Sequence, residues 1–376
     1  MLKVLEVSSD SNIGGAGKCI LTFLKTFDRS RFSVGAALPK GSLLKPEIEA
    51  LDIPVYEMEN LAEKSLDFRA VRAMRRLFQK LKPDVVHTHA SMSARFAAFS
   101  LGIPVVYTRH SVFPPPAALT RFPGKQINGL VNNLTASKII AVAEAAKDNL
   151  TDTGVSAKKI EVILNGVAAL PEVSEEAVAM LEHTFGIAPG DKVAVMAARL
   201  NVVKGHTYFI KAAEILRSRG VDAKFLIAGT GEMEQDLKAQ IKEKHLEDRV
   251  IMMGFVTDVA PLMQRMDVQV NCSFGTEATS LSLLEGMSLG KPAVVSDFGG
   301  NPGVIADGVN GFITPTHDAA ALADRLEQLF CDAALYQTMA QNCRRIFEEK
   351  FTAAVNTRAI ERVYESVADQ KRKTKA

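Results

Sequence analysis

Short runs of β-branched and apolar residues alternate with helical stretches along almost the whole chain. This alternation is typical of βαβ units, in which a helix crosses back over a parallel sheet after each strand. The predicted strands of the first half lie at residues 3–7, 33–38, 54–57, 84–87, 104–108, 139–142 and 160–163. Those of the second half lie near Val193, Phe225, Val250, Val268, Ala293 and Phe312. The sequence therefore predicts an α/β protein built on doubly wound parallel sheets.

A chain of 376 residues is longer than one hydrophobic core usually organises, so we predict two domains. The dipeptide Asn165–Gly166 is a turn signal directly after a predicted strand and marks the boundary. We assign residues 1–165 to a first Rossmann-like domain and residues 166–350 to a second. Residues 351–376 contain a last predicted helix and a basic tail, KRKTKA, that we expect to be disordered.

The composition, with 47% hydrophobic and 23% charged residues, is that of a soluble globular protein. A membrane span needs about 18 uninterrupted apolar residues, and the sequence contains no such run. The first residues lead directly into a strand pattern without a secretory signal. The four cysteines are scattered and form neither a disulfide framework nor a zinc motif. We therefore expect a cytoplasmic protein.

The net charge of +2 conceals an uneven distribution of charge along the chain. Residues 1–165 contain 22 lysines and arginines and 15 carboxylates, whereas the remaining residues contain 23 and 28. Nucleic acid is not indicated as a partner, because no basic patch with interleaved aromatic residues is present and tryptophan is absent. An anionic acceptor or an anionic membrane surface suits the basic first half better, which would place the protein peripherally at the inner face of a membrane.

Residues 274–300, FGTEATSLSLLEGMSLGKPAVVSDFGG, combine a strand-to-helix loop with two carboxylates, Glu277 and Glu285. Backbone N–H groups at a helix start attract phosphate, whereas carboxylates accept hydrogen bonds from sugar hydroxyls. Loops at the carboxyl edge of a parallel sheet are also where doubly wound folds bind ligands. Taken singly, either glutamate is more simply explained as a helix cap or a solvated residue. Together they fit a molecule with a central diphosphate and a sugar at each end, a nucleotide sugar.

The glycine-rich loop at residues 8–19, SSDSNIGGAGKC, matches neither of the common nucleotide-binding motifs. Asn12 stands where a P-loop requires its first glycine, and Ile20 stands where the dinucleotide motif requires its last. What remains is a flexible loop whose backbone can approach a ligand closely.

Three histidines follow predicted strands. His87 and His89 have the spacing of a metal-ligand pair, but no third ligand is near, so we predict no metal and favour a structural role. His110 follows the next strand directly, and a substrate contact and a structural role explain it equally well.

Two cations lie near the start of another predicted helix. Arg199 is at the end of the preceding strand, and Lys204 is in the loop before the helix. Alone they would be read as solvated loop residues. Beside a helix start and a glycine-rich turn they suit a diphosphate clamp, in which arginine binds two phosphate oxygens and lysine supplies a point charge.

Glu277 and Glu285, with seven residues between them, resemble the E-x7-E motif of retaining glycosyltransferases of family 4, which have the GT-B fold. The companion segments occur in the family's order: AARLNVVKG, Gly229-Thr230-Gly231, Gly254-Phe255-Val256, GKPAVVSDFGG and GVNGFITP. The resemblance covers nearly the whole chain and is densest over residues 193–315. It implies two Rossmann-like doubly wound domains facing across a cleft, with the last helix crossing back to the first domain.

The resemblance also implies roles for individual residues. Glu277 and His110 would contact the donor sugar, while Arg199 and Lys204 would stabilise the departing diphosphate. The residues implied in donor binding are Gly15 over the phosphates, Gly229 and Gly231 in the glycine turn, Phe255 and Val256 beside the base, Ser282 and Leu283 at the helix start, and Glu285 at the ribose hydroxyls.

The implied reaction is a hexosyltransferase reaction of cell-envelope polysaccharide synthesis. It moves a sugar from a nucleotide diphosphate-sugar, with a UDP-sugar favoured, to a hydroxyl of a glycan or lipid-linked acceptor with retention of configuration. No metal and no other cofactor is implied. Gly303 stands where the family usually carries a glutamate, so the donor is left open. The alternatives are another GT-B enzyme, such as a nucleotide-sugar epimerase, and a non-catalytic interaction protein on the same scaffold.

Overall fold

Seven parallel strands form the first sheet of the computed structural model, which describes residues 1–59, 61 and 66–375. The strands are β1 (Leu2–Ser8), β2 (Phe32–Pro39), β3 (Val55–Met58), β4 (Val85–His89), β5 (Val105–Arg109), β6 (Lys138–Ala141) and β7 (Ile160–Val162). Their order across the sheet is β3-β2-β1-β4-β5-β6-β7. All seven strands predicted from the sequence are confirmed, with ends that differ by at most two residues.

Helices cover both faces of this sheet. They are α1 (Gly15–Thr26), α2 (Leu44–Glu49), α3 (Phe68–Leu81), α4 (Met92–Ser100), α5 (Ala117–Thr120), α6 (Gly124–Thr135) and α7 (Glu144–Asp152). Val4 of β1 packs in one apolar cluster with residues of α1, whereas Leu5 and Val7 pack in a second cluster with residues of α3 and α4. Successive strand residues point to opposite faces, so burial on both sides explains the continuous apolar character of the strand.

Helix α3 shows how local sequence sets the ends of an element. The Asp67 carboxylate accepts hydrogen bonds from the backbone N–H groups of Arg69 and Ala70, which caps the helix start. Lys82 adopts a left-handed conformation and ends the helix. The buried face carries Ala70, Met74 and Phe78, as the spacing predicts. The apolar residue Phe68 is 82% exposed because it lies at the first helical position, away from the sheet.

The second sheet has six parallel strands in the order β10-β9-β8-β11-β12-β13. These are β8 (Lys192–Ala197), β9 (Ala223–Ala228), β10 (Val250–Gly254), β11 (Val268–Asn271), β12 (Ala293–Ser296) and β13 (Gly311–Thr314). Its helices are α8 (Glu175–Phe185), α9 (His206–Ser218), α10 (Glu234–Glu243), α11 (Ala260–Arg265), α12 (Leu281–Ser288), α13 (Asn301–Val304), α14 (Ala319–Cys331) and α15 (Ala333–Lys350). All six predicted strands are present. Both sheets therefore have the doubly wound, Rossmann-like topology predicted from the sequence.

The chain divides into two compact units. One contains Met1–Gly166 together with Ala353–Ala376, and the other contains Val167–Thr352. The last helix, α16 (Ala353–Lys375), thus belongs to the first unit. Its residues Val363, Tyr364 and Val367 are buried in the same apolar cluster as Val4 of β1.

The C-terminal tail departs from the sequence prediction. Helix α16 continues through the basic residues to Lys375, so the expectation of a disordered tail from residue 371 is wrong over the residues described. Lysine and arginine are good helix formers, and each residue added to an existing helix gains a hydrogen bond, so the helix propagates into the tail. Within the described part of the chain, no helix is long and apolar enough to cross a membrane.

Candidate active site

Each sheet has one position where the strand order reverses. It lies between β1 and β4 in the first sheet and between β8 and β11 in the second. At such a position the loops that leave two adjacent strands run to opposite faces of the sheet, which opens a crevice at the carboxyl edge. Lys204 follows β8 and Glu277 follows β11, so both lie at the reversal of the second sheet.

Lys204 and Glu277 form an ion pair at this position. Lys204 Nζ donates to Glu277 Oε2 at 2.8 Å and to the Thr276 carbonyl oxygen at 3.2 Å. The Lys204 side chain is mostly buried, so the explanation of this residue as a solvated loop cation is wrong. The resemblance assigned these two residues to different parts of a donor, and the ion pair between them was not predicted.

Three donors converge on one oxygen of Glu277. Besides Lys204, Asn271 Nδ2 and Ser273 Oγ each donate to Oε2 at 2.9 Å. Among the described residues no hydrogen bond reaches Oε1 of the same carboxylate. The carboxylate is therefore fixed in position while one oxygen is left to accept a hydrogen bond from another group.

Two glycines bring the loops of the pair together. A Cβ on Gly205 would lie 2.3 Å from the Cys272 carbonyl oxygen, and one on Gly275 would lie 2.5 Å from Val203 Cγ1. Gly205 also has a φ of +79°, which favours glycine. The backbone N–H of Phe274 donates to the Val203 carbonyl oxygen at 2.9 Å. This close packing places Lys204 against the loop that carries Glu277.

Arg199 lies beside the glycine turn. Its side chain is exposed, and within the described ranges it has no hydrogen-bond or ion-pair partner. A Cβ on Gly229 would lie 2.0 Å from the Ala198 carbonyl oxygen, and one on Gly231 would lie 2.3 Å from that of Leu200. The two glycines thus permit the turn to pack against the backbone on either side of Arg199.

The start of α12 carries a side-chain cap. Ser280 caps the helix, and its Oγ accepts a hydrogen bond from the backbone N–H of Leu283 at 3.4 Å. In this structure the Leu283 N–H is therefore paired with the Ser280 side chain. The role of the helix start in phosphate binding stays a prediction. The Ser282 hydroxyl accepts from Gln269 Nε2 at 2.6 Å. Glu285 lies half-buried inside α12, eight residues after Glu277, which precedes the helix.

Phe255, Val256 and Gly15 are at least partly exposed. Phe255, after β10, is 76% exposed, and the adjacent Val256 is half-buried. Gly15 is the first residue of α1, and a Cβ at this position would meet no atom within 4 Å. Gly303, at the position of the family's usual glutamate, is exposed on α13.

A second polar cluster lies at the strand reversal of the first sheet. Glu6 on β1 pairs in register with His87 on β4, and His89 lies two residues further along β4. Glu6 Oε2 is 2.7 Å from His89 Nε2, and His89 Nδ1 is 2.7 Å from His110 Nε2. His110, which follows β5, therefore lies in hydrogen-bond contact with a histidine for which we predicted only a structural role.

The other oxygen of Glu6 contacts α16. The Tyr364 hydroxyl donates to Glu6 Oε1 at 2.6 Å, and His87 Nδ1 lies 2.7 Å from the same hydroxyl. His87 Nε2 lies 2.7 Å from Thr108 Oγ1. These side chains are buried. The cluster therefore joins three central strands to the last helix by a connected set of hydrogen bonds.

The environment sets the ionisation of this cluster. Burial alone would raise the pKa of Glu6, but His87 and His89 outweigh it and hold that pKa well below its ordinary value. Burial, reinforced by His89 and His87, holds the pKa of His110 well below the usual range. Burial and then His87 also lower the pKa of His89. At neutral pH Glu6 is ionised, and His89 and His110 are neutral.

Glu6 is a third potential metal ligand beside His87 and His89 that was not expected from the sequence. Ligand atoms of Glu6, His87 and His89 all lie within 4.8 Å of one another, so a third ligand does stand beside the histidine pair. Sequence proximity could not reveal it, because Glu6 reaches them across the sheet. The ligand atoms of this trio are hydrogen-bonded within the cluster, which fits a closed network better than a metal site. The prediction that no metal is required remains a prediction.

Comparison with known families decides what kind of protein carries these two sites. The profile of "Glycosyltransferase Family 4" matches residues 13–169, and that of "Glycosyl transferases group 1" matches residues 182–346. The chain belongs to the family 4 glycosyltransferases. The resemblance inferred from the E-x7-E motif is thereby confirmed.

Similar proteins are found over nearly the full length of this glycosyltransferase. The putative glycosyltransferase EpsD of Bacillus subtilis (strain 168) is 26% identical over 372 residues, 95% of either chain. The UDP-Gal:alpha-D-GlcNAc-diphosphoundecaprenol alpha-1,3-galactosyltransferase of Escherichia coli is 28% identical over 318 residues, 79% of either chain.

Solved structures of the same fold include Anabaena Alr3699/HepE in complex with UDP. It superposes with a TM-score of 0.84 and 24% identity, over 97% of this chain and 100% of that one. A glycosyltransferase from Rickettsia africae ESF-5 also gives a TM-score of 0.84, at 19% identity, over 97% and 98%. These similarities confirm the GT-B fold.

Several residues of this glycosyltransferase's polar sites were missed. Asn271 and Ser273 hold the Glu277 carboxylate, and polar residues at the end of an apolar strand were the available signal. Glu6 was missed as well, although a carboxylate inside an otherwise apolar strand was an available signal. Tyr364 had no signal, because nothing in the sequence of α16 distinguishes it from other buried residues of the helix.

Proposed function

We propose that this glycosyltransferase transfers a hexose from a UDP-sugar to a hydroxyl of a glycan or lipid-linked acceptor, with retention of configuration. The observation that carries the proposal is the Lys204–Glu277 pair at the strand reversal of the second sheet. It offers a cation and a carboxylate side by side, the two groups that a diphosphate joined to a sugar requires.

Lys204 keeps binding capacity although it is paired. A lysine ammonium group has three N–H donors, and two of them are used by Glu277 and the Thr276 carbonyl oxygen. The third is available to a phosphate oxygen. Glu277 likewise keeps Oε1 for a sugar hydroxyl. Because both groups are fixed before the donor binds, they need little reorganisation during reaction.

Arg199 supplies the second positive charge. It is exposed and unpaired among the described residues, and its planar group can bind two phosphate oxygens. When the bond between the anomeric carbon and the diphosphate oxygen breaks, negative charge develops on the leaving group. Arg199 and Lys204 would stabilise that charge without a metal ion.

We infer the course of the reaction from the proposed retention of configuration. The acceptor oxygen forms its bond to the anomeric carbon on the face from which the diphosphate departs, and the acceptor's proton passes to the departing diphosphate. Glu285 on α12 would bind the ribose hydroxyls, and Phe255 and Val256 would lie beside the base. Gly15 at the start of α1 would approach the phosphates.

Relatives support the choice of donor and acceptor. The Escherichia coli relative is named for UDP-Gal as donor and a diphosphoundecaprenol-linked acceptor. Neighbours of the same fold are described in complex with UDP-glucose and with UDP and GlcNAc. We extend a UDP-sugar donor and a sugar or lipid-linked acceptor to this chain on that basis.

We also propose that the protein is cytoplasmic and that its first unit docks on an anionic membrane surface. The support is helix α3, which exposes Arg69, Arg72, Arg75, Arg76 and Lys80. Across the described ranges none of these cations pairs with a carboxylate. A surface of this kind would bring the enzyme to a membrane-borne acceptor.

Donor binding tests the proposal directly. Affinities for UDP, GDP and ADP and for their glucose derivatives would be measured by calorimetry, with and without EDTA. We expect UDP and UDP-glucose to bind best and EDTA to have no effect. Arg199→Ala should weaken UDP binding by about 10–100-fold, because a hydrogen bond to a charged group is worth about 1.5–3 kcal/mol.

Arg344→Ala is the matched control, since Arg344 is an exposed arginine on α15 of the same unit. It should bind UDP like the wild type. Both variants should melt at the wild-type temperature, because neither side chain has a partner in the described residues to lose. UDP affinity that is equal in both variants, or that requires Mg²⁺, would contradict the proposed clamp.

A further inference from the structure

The contacts of Glu6, His89 and His110 fix the positions of their protons. Glu6 is ionised, so both of its oxygens can only accept hydrogen bonds. His89 Nε2 lies 2.7 Å from Glu6 Oε2 and must carry a proton, since two acceptors would otherwise face each other. Neutral His89 then has no proton on Nδ1.

The same rule carries the assignment one residue further. His89 Nδ1, now an acceptor, lies 2.7 Å from His110 Nε2, which must therefore carry the proton of neutral His110. His110 Nδ1 is left without a proton. It is a buried acceptor that has no hydrogen-bond partner among the described residues. An unpaired buried acceptor costs about 1–3 kcal/mol, so a donor that reaches it gains affinity.

We propose that Glu6 and His89 are positioning residues that hold His110 with Nδ1 proton-free. In the sugar contact that the family resemblance implies for His110, the histidine then accepts a hydrogen bond from a hydroxyl of the sugar substrate. This inference rests on the proposed function, because sugar transfer supplies the hydroxyl. The relay fixes the direction of that hydrogen bond: the hydroxyl donates its proton to His110. The hydroxyl oxygen then keeps its lone pairs for other donors.

The hydrogen bond from Tyr364 determines how the amide of a Glu6→Gln variant would be oriented. Its hydroxyl donates to Glu6 Oε1, as the other side of the carboxylate faces His89. In Glu6→Gln the amide oxygen should take the position facing Tyr364, which leaves the NH₂ group facing His89. His89 would then accept at Nε2 and carry its proton on Nδ1. His110 would have to accept at Nε2 and carry its proton on Nδ1, so the variant reverses the relay.

Two readouts follow these proton positions. The first is the nitrogen spectrum of ¹⁵N-histidine-labelled protein, which distinguishes protonated from bare ring nitrogens. The second is affinity for UDP, UDP-glucose and four UDP-glucose analogues, each with one glucose hydroxyl replaced by fluorine. Fluorine can accept a hydrogen bond but cannot donate one, so it should not satisfy His110 in the wild type.

We expect wild-type His110 to carry its proton on Nε2. At one glucose position the wild type should prefer the hydroxyl to fluorine by about tenfold, the value of one lost buried hydrogen bond. In Glu6→Gln the proton should move to Nδ1, and the preference at that position should fall to about threefold or less. Affinity for UDP itself should not change.

Tyr364→Phe is the matched control. It removes a hydrogen bond from the same buried carboxylate but leaves the contact between Glu6 and His89 intact. We expect it to lower the melting temperature as much as Glu6→Gln does, while the His110 proton stays on Nε2 and the hydroxyl preference is kept. A purely structural role of the cluster would make the two variants alike in every readout.

Other outcomes overturn specific steps. A wild-type His110 that carries its proton on Nδ1 overturns the relay, and this spectrum needs no variant to fold. If all four analogues bind wild type like UDP-glucose, a water molecule in the adjacent cavity of about 20 Å³ pairs with Nδ1, and the substrate contact is wrong. If the wild type binds neither UDP nor UDP-glucose, the proposed donor is wrong, whereas the histidine spectrum still decides the relay.

Discussion

At the scale of single residues, His206 combines burial with a titratable ring. It is the first residue of α9, is 2% exposed, and has both ring nitrogens buried without a partner in the described part of the chain. Burial, assisted by the nearby Lys204, lowers its pKa from 6.5 to about 4. Between pH 6.5 and about 4, His206 is protonated in the unfolded chain but not in the folded protein. Stability should therefore fall as the pH drops from about 6.5 to about 4.

His206→Leu should remove this pH dependence. The shift corresponds to about 3 kcal/mol in the free energy of unfolding, at about 1.4 kcal/mol for each pKa unit. The variant should therefore gain about that much relative to wild type between pH 7 and pH 4, measured by urea unfolding. His183→Gln, at an exposed histidine of α8, should follow the wild type at every pH. Parallel stability curves for wild type and His206→Leu would show that His206 titrates normally.

Sequence motifs indicated candidate residues within single loops but not the contacts between distant loops. The E-x7-E spacing, Arg199 and the glycine turn are local patterns, and the structure places their residues after β8, β9 and β11 and in α12. The Lys204–Glu277 contact joins residues 73 positions apart and depends on two glycines that allow the loops to touch. The Tyr364–Glu6 contact spans 358 positions. Contacts of this range are set by the packed fold, which spacing alone does not encode.

At the scale of elements, α16 completes the core of the first unit. Tyr364 packs edge-on against Phe23 and Phe32 with ring centroids 5.7 Å and 6.1 Å apart, and Val367 is buried in the same cluster. A helix that ends the chain thus stabilises strands that begin it. Loss of its packing should loosen the first unit and leave the second intact.

Val367→Asp tests this role, because it places an unpaired carboxylate among apolar residues. We expect it to destabilise the first unit by about 3–5 kcal/mol. Hydrogen–deuterium exchange should accelerate in peptides of β1 and β2 and remain unchanged in those of β8 and β9. Ser366→Asp, on the exposed side of the same helix, should exchange like the wild type. Unchanged exchange in β1 of Val367→Asp would mean that α16 contributes little to this core.

Elements were predictable where burial leaves a run of apolar residues between polar turns. The thirteen strands of the described residues were predicted because each is a short apolar run bounded by polar turns. Helix α15 was not predicted, since only Asp332 separates it from α14 and the boundary lacks a glycine or proline. The Asp332 side chain accepts a hydrogen bond from the Leu335 N–H and caps the second helix. A single capping residue inside a continuous helical pattern is a weak signal.

At the scale of the whole molecule, excess positive charge and exposed apolar side chains are concentrated in the first unit. Helix α4 contacts α3, which carries the exposed cations, and also α6. Helix α6 exposes Ile127, Leu130 and Leu134, whose spacing places them on one face. A basic surface with apolar residues nearby is suited to an anionic bilayer. We therefore expect binding to such bilayers to depend on α3 rather than on net charge.

Changing Arg69, Arg72 and Arg76 to Gln removes three cations from one face of α3 and leaves the hydrogen bond from Arg75 to Ser100 in place. Each cation near an anionic surface contributes about 1 kcal/mol, so partitioning onto phosphatidylglycerol vesicles should fall by about 100-fold at low salt. Co-sedimentation at low and high salt measures it, and high salt should abolish wild-type binding by screening. The control variant changes Lys192, Lys242 and Arg344 to Gln, which removes the same charge from the second unit and should bind like the wild type. Equal loss in both variants would assign binding to net charge, and a wild type that does not pellet at low salt would exclude membrane docking through α3.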